Sequence, residues 1–264
     1  MNRLFFCDID GTIVDESRQM YKVSLETRYA FKELQRQGDL VFIASGRNHF
    51  LLGEDILSLH ADGYVLCNGS YVLINDRCIY AQAFSSEEIQ AIDDTVCRHR
   101  GFCFMESADM AYVKIVDSHS FDLFNRTWGM KKEPKLDGYP ADEKYYIAMI
   151  GFSNEEDTAA AKEELFFLNL VRHNHTMSYD VNLKEINKGT GVQKAIEYLK
   201  YPYENTYCFA DGMNDLQMLQ SVAHPIIMAN SYPDLKTFGF TETGDVLENG
   251  FYRYLVDNKL INEM

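Results

Sequence analysis

LFFCDIDGT, residues 4–12, is a short apolar and aromatic run that breaks off at two acids. Such a run suits a strand covered on both faces of a parallel sheet. The pattern continues on its C-terminal side. A helix is expected over 24–37, with Leu25, Tyr29, Phe31 and Leu34 apolar and Gly38 as its stop. LVFIAS at 40–45 and GYVLCNG at 63–69 read as two more buried strands. Strand, helix, strand in this rhythm predicts a doubly wound parallel sheet.

The rhythm changes after about residue 84. A helix is expected over 86–98, short strands at 102–106 and 111–116, and a helix over 118–127. The polar stretch 131–144 reads as a loop, and Trp128 just before it as an internal packing residue. YYIAMIGF at 145–152 reads as a strand, 155–167 as a helix, and LVRHNH and MSYDVNL as two further strands. That is an α+β block with an antiparallel sheet. From Lys188 the parallel style returns: a helix to about Leu199, the strand TYCFAD at 206–211, a helix opened by Asn214 and Asp215, and the strand HPIIMAN at 224–230. The expected fold is α/β. A Rossmann-like core of residues 1–83 and 185–264 is interrupted by an α+β cap over 84–184.

Bulk properties narrow the function. The 264 residues are 46% apolar and carry a formal net charge of −15. Nucleic-acid binding needs clustered Lys and Arg, so a nucleic-acid partner is not expected. No apolar run approaches the ~18 residues of a membrane span, and the N-terminus lacks a signal-peptide pattern. The six cysteines form no CxxC pair. They read as free thiols in a reducing cytoplasm, not as zinc ligands. The acidity leaves a small phosphorylated substrate open, because a metal ion and a few local cations can reverse the field in one cleft.

Asp8 and Asp10 stand at the tip of the first strand, where open parallel sheets bind ligands. Two residues apart on extended backbone, they point to the same side, with Ile9 toward the core. Two carboxylates there call for a cation, and an all-oxygen ligand set favours magnesium. Ser45, Gly46 and Arg47 close the second strand. The hydroxyl and backbone amides can hold phosphoryl oxygens, although a helix N-cap would look the same. Asn68 and Gly69 close the third strand and alone read as a turn. In ADGMNDLQML, 210–219, Asp211 can ligate the metal, while Asn214 and Asp215 can hold its waters or orient Lys188.

Together DIDGT at 8–12, ASGR at 44–47, NG at 68–69, NKG at 187–189, ADGMND at 210–215, MAN at 228–230 and ENG at 248–250 resemble the haloacid dehalogenase superfamily. Within it they resemble the Cof-type subgroup with a C2B cap. The resemblance implies a magnesium-dependent phosphatase of small phosphate monoesters, sugar phosphates first. Asp8 would be the nucleophile and Asp10 the general acid and base. Asp8, the backbone carbonyl of Asp10 and Asp211 would hold magnesium. Ser45 would donate to the phosphoryl group, with Gly46, Gly11, Thr12 and Asn214 around it. Lys188 would neutralise Asp8 and a phosphoryl oxygen, supported by Asp215. Ala210 stands where the family usually has Gly, and Ala229, Asn230 and Ser231 where it usually has GNA; neither removes a needed chemical group.

The weaker candidates are Arg47, and His173 and His175. The two histidines are expected on one face of the cap strands with Val171, Met177 and Tyr179. Glu106 and Asp109 are possible cap contacts, and Cys7 reads as a core residue. A phosphomutase shares the two aspartates and the cap style, and a non-catalytic sensor of a phosphorylated ligand is a third class. The partner expected is a small phosphorylated metabolite, bound by a cytoplasmic monomer or small homo-oligomer.

Overall fold

In the computed structural model the described residues are 2–127, 134–135, 138–173 and 176–264. His175 and Trp128 fall outside them. The chain divides into two compact units: Met1–Gly46, Leu52–Tyr80 and Asn187–Met264 form one, and Arg47–Leu51 with Ala81–Ile186 the other.

The first unit begins with β1 (Leu4–Cys7), α1 (Leu25–Arg36), β2 (Leu40–Ala44), the short α2 (Glu54–Leu57) and β3 (Gly63–Leu66). Ser24 caps α1, its hydroxyl accepting from Thr27 N at 3.1 Å. At its far end Gly38 takes φ +87°, which glycine adopts without strain. β3 stops at Leu66, earlier than its apolar run, because Cys67 and Asn68 turn to φ +51° and +50°. A hairpin not anticipated from the sequence follows, β4 (Tyr71–Ile74) and β5 (Arg77–Ala81). Its turn residues Asn75 and Asp76 both have positive φ, the geometry that tight hairpins demand.

The inserted unit contains α3 (Ser86–Arg98), β6 (Phe102–Glu106), β7 (Ala111–Ile115), α4 (Ser118–Thr127), β8 (Ile147–Gly151), α5 (Glu155–Glu164), β9 (Leu168–Arg172) and β10 (Ser178–Leu183). Its five strands pair antiparallel in the order β7-β6-β8-β10-β9. Side chains alternate across this sheet. Cys103, Met105, Ala148, Ile150, Tyr179 and Val181 pack with Ile92, Val96 and Ala161 of α3 and α5. Phe102, Phe104, Val113 and Met149 pack with Phe124 of α4 and Leu51 on the other side. Tyr179 pairs with Arg172, and Asp180 with Val171. Tyr179 therefore points away from the face of Val171, against expectation, and is buried in the core. α5 ends at Glu164, short of the expected 167. Leu165 turns into the core while Phe166 stays exposed.

The chain then returns to the first unit with α6 (Lys188–Leu199), β11 (Thr206–Ala210), α7 (Leu216–Leu219), β12 (His224–Ile227), α8 (Pro233–Lys236), β13 (Thr241–Glu242) and α9 (Gly250–Asp257). The sheet has eight strands in the order β13-β12-β11-β1-β2-β3-β4-β5. All pairs from β13 to β3 are parallel, and β4 runs antiparallel to β3. β1 sits centrally, Leu4 facing Leu40 and Thr206, and Cys7 facing Ile43 and Phe209. Helices cover both faces. Val192 and Ala195 of α6 and Met218 and Leu219 of α7 pack on Phe6, Phe42, Ala44 and Val65. On the other face Phe251 of α9 meets Phe31 of α1 at 5.6 Å and Phe209 at 4.8 Å between ring centroids. Each enclosed Phe contributes about 1.5–3 kcal/mol relative to exposure. Because the strands are parallel, Asp8, Ser45, Cys67 and Asp211 all leave the sheet at one edge. Among the described residues no helix is long and apolar enough to cross a membrane.

Candidate active site

The strand tips of the first unit deliver an acidic group around one buried lysine. Asp8 follows β1, its backbone N–H bonded to Phe209 O at 3.0 Å, and is only 6% exposed. Lys188 is the first residue of α6 and is 1% exposed. Asn187 fixes that helix start: its side chain accepts from Thr190 N at 3.1 Å, and its own N–H donates to the Thr190 hydroxyl at 3.3 Å. Lys188 Nζ lies 2.5 Å from Asp8 Oδ1 and 2.6 Å from Asp215 Oδ1. Asp215 Oδ2 also accepts from Gly212 N at 3.2 Å.

Carboxylate oxygens of Asp8, Asp211 and Asp215 come within 4.8 Å of one another. Three acids face one ammonium, so charge balance favours one more cation. The acids register the imbalance. Burial, then the charge of Asp215, pushes Asp8 up to about 7, against the pull of Lys188. Burial, then Asp8 and Asp215, pushes Asp211 up to about 8. Lys188 goes the other way: burial alone would lower its pKa, but Asp215 and Asp8 hold it protonated. An all-oxygen set, buried at Asp8 and Asp215 and half-buried at Asp211, that is short of positive charge fits a hard divalent cation such as magnesium.

The remaining expected residues fall as follows. Asp10 is exposed, and its charge adds to the upward push on Asp8 and Asp211. The side chains that converge are therefore Asp8, Asp211 and Asp215; the Asp10 carboxylate is not in that group. Gly11 has φ +81°, and a Cβ there would lie 2.1 Å from Asp211 Oδ2, so only glycine lets that carboxylate sit where it does. Thr12 is 1% exposed and its hydroxyl has no hydrogen-bond partner among the described residues. Ser45 is buried, its N–H bonded to Val65 O at 2.8 Å, and Gly46 lies against the side chain of Asn68. Asn214 is exposed and lies over Gly212. Cys7 is fully buried. Arg47 belongs to the inserted unit.

In that unit His173 Nε2 lies 2.8 Å from Asp180 Oδ1 and its Nδ1 3.1 Å from Ser178 Oγ. Burial draws its pKa down, but Asp180 outweighs this and raises it. Glu106 is buried and pushed up to about 8 by burial and by Asp180, against the Asn48 N–H and Arg47. Asp109 is exposed. Asn48 went unnoticed in the sequence, where it resembles any turn asparagine. It is fully buried: Nδ2 donates to Ser107 O and Met110 O at 2.8 and 2.9 Å, and Oδ1 accepts from Leu51 N at 3.0 Å.

Residues 5–255 match the family of haloacid dehalogenase-like hydrolases. The chain belongs to that family. "Putative phosphatase YkrA" of Bacillus subtilis strain 168 is 31% identical over 252 residues, covering 94% of this chain and 95% of that protein. A hypothetical protein of Geobacillus kaustophilus HTA426 has a crystal structure that superposes with TM-score 0.86 at 26% identity, covering 99% of this chain and all of that one. The haloacid dehalogenase subclass IIB sugar phosphatase BT4131 shares the fold, with TM-score 0.83 at 23% identity over 98% of this chain and 100% of its own. This protein is a haloacid dehalogenase-type phosphatase, with an α/β core and an inserted α+β cap.

Proposed function

We propose that this phosphatase is magnesium-dependent and hydrolyses small phosphate monoesters, sugar phosphates foremost, through an aspartyl phosphate on Asp8. The observation that carries the proposal is the buried Asp8–Lys188–Asp215 chain with Asp211 beside it. Both the ester and Asp8 are anionic, so attack needs local positive charge. Lys188, held protonated, supplies part of it and steadies the phosphoryl oxygens. Magnesium, held by Asp8, Asp211 and the carbonyl of Asp10, would supply the rest as a Lewis acid.

Asp8 attacks phosphorus and the ester oxygen leaves with a proton from Asp10. Asp10 then takes a proton from the water that attacks the phosphoryl group, releasing phosphate and regenerating Asp8. The covalent step divides one hard displacement into two easier ones. Asp10 suits the proton traffic because it is exposed and near enough for its charge to act on Asp8 and Asp211. Ser45 and Gly46 hold the phosphoryl oxygens, while Asp215 orients Lys188. The sugar preference is drawn from the subclass IIB sugar phosphatase that shares the fold.

The test is phosphate release from a panel of sugar and cofactor phosphates, with magnesium and with a chelator. Magnesium-dependent release with sugar phosphates ranked first is expected. Isomerised sugar phosphate without free phosphate would replace this reading with a mutase.

A further inference from the structure

One loop outside the acidic group holds two of its elements in place. Residues 228–232 follow β12. Met228 N donates to Ala210 O at 3.0 Å and Tyr232 N to Asp211 O at 3.2 Å, so this loop anchors the backbone that carries Asp211. At its centre Asn230 Nδ2 donates to Gly11 O at 2.7 Å, and Asn230 Oδ1 accepts from Val246 N at 2.9 Å.

Gly11 is where such a clasp matters. Peptide planes are rigid, so the Asp10 carbonyl is oriented by the plane it shares with the Gly11 N–H. That N–H is bonded to Val14 O at 2.7 Å. The next plane, carrying Gly11 O, is held by Asn230. Between the two planes stands a glycine, the residue least able to resist rotation. Gly11 also lies directly against the Asp211 carboxylate. A shift at Gly11 therefore moves the Asp10 carbonyl and Asp211 together.

We infer that Asn230 is a positioning residue for the metal site, locking the Gly11–Thr12 peptide so that the Asp10 carbonyl and the Asp211 carboxylate converge on one cation. The inference rests on the magnesium reading above. It makes different demands on the two ends of the carboxamide: a donor toward Gly11 and an acceptor toward Val246. Asn230→Ala removes both. Asn230→Asp keeps the size and the acceptor but sets an oxygen against Gly11 O.

The experiment is calorimetric titration of magnesium into the full-length parent and both variants, with no substrate present, alongside KM for one phosphate ester at saturating magnesium. Groups that orient metal ligands typically alter affinity by about 10–100-fold. A loss in that range is expected for Asn230→Ala, a larger one for Asn230→Asp, and KM within about twofold of the parent for both. If Asn230→Ala fails to fold, the near-isosteric Asp variant carries the test alone. Variants that bind magnesium as the parent does would overturn the inference and leave the magnesium reading standing. A parent that binds no magnesium would overturn both.

Discussion

Lys188 Nζ touches Asp8 and Asp215 at once, at 2.5 and 2.6 Å, with all three side chains buried. The lysine is thus both the cation beside the proposed nucleophile and the counter-charge that lets two acids share a buried space. Removing it leaves those acids facing each other. Lys188→Met should lower kcat/KM by about 10²–10³-fold, the usual cost of losing a preorganised charge at the reacting group. Lys188→Arg should not restore activity, because a planar guanidinium cannot occupy the place of a compact ammonium between two carboxylates. Phosphate-release kinetics on both variants check this.

Asp8 and Asp10 should separate by their effects on stability. Burial and neighbouring acids raise Asp8, so its charged form is held at a cost in the metal-free protein. Asp8→Asn should abolish turnover while its Tm in chelator is no lower than the parent's. Asp10 is exposed, so Asp10→Asn should leave Tm unchanged and lower kcat by about 10²–10⁴-fold. Thermal denaturation beside steady-state kinetics reads both.

Gly11→Ala should be disproportionately damaging for a single methyl. Its Cβ would meet Asp211 Oδ2 at 2.1 Å, and its φ of +81° is disfavoured for alanine. The backbone alone costs about 1–2 kcal/mol, and Asp211 must move as well. Weakened magnesium binding and a lower Tm are the expected results, measured by titration calorimetry and circular dichroism.

His99 predicts a pH dependence in the inserted unit. Its Nδ1 and Nε2 lie 2.8 and 3.0 Å from Asp157 and Glu164, joining α3 to α5. Burial lowers its pKa, but these two carboxylates more than offset that and raise it. A raised histidine contributes stability that is fully present below the unfolded value of about 6.5 and lost as pH rises through the folded value. Tm of the parent should therefore fall across that window, and His99→Gln should flatten the fall. Equal slopes for both proteins would show that His99 does not carry the effect.

The sequence made much of this legible because short buried strands announce themselves. LFFC, LVFIA and TYCFA each became a strand, and the residues after them, Asp8, Ser45 and Asp211, gathered at one edge. The β4–β5 hairpin was not anticipated, although Asn75–Asp76 between two β-rich runs carried a local turn signal. Tyr179 was placed on the wrong face because one alternation was carried from the first expected strand, 170–175, into the second, 177–183, with a single residue between them. Periodicity counted across the connection between β9 and β10 does not respect strand pairing. The burial of Asn48, and the link between Gly11 and Asn230 across 219 positions, are tertiary facts with no local pattern to reveal them.

The proposed mechanism turns on a covalent bond between Asp8 and the phosphoryl group. The most direct measurement is acid quenching of the protein during turnover of a sugar phosphate with magnesium, followed by mass spectrometry of its peptides. A hydroxylamine-labile phosphoryl group on the peptide containing Asp8, absent from Asp8→Asn, is the predicted result. Full magnesium-dependent hydrolysis by Asp8→Asn, with no phosphoryl group on the protein, would contradict it.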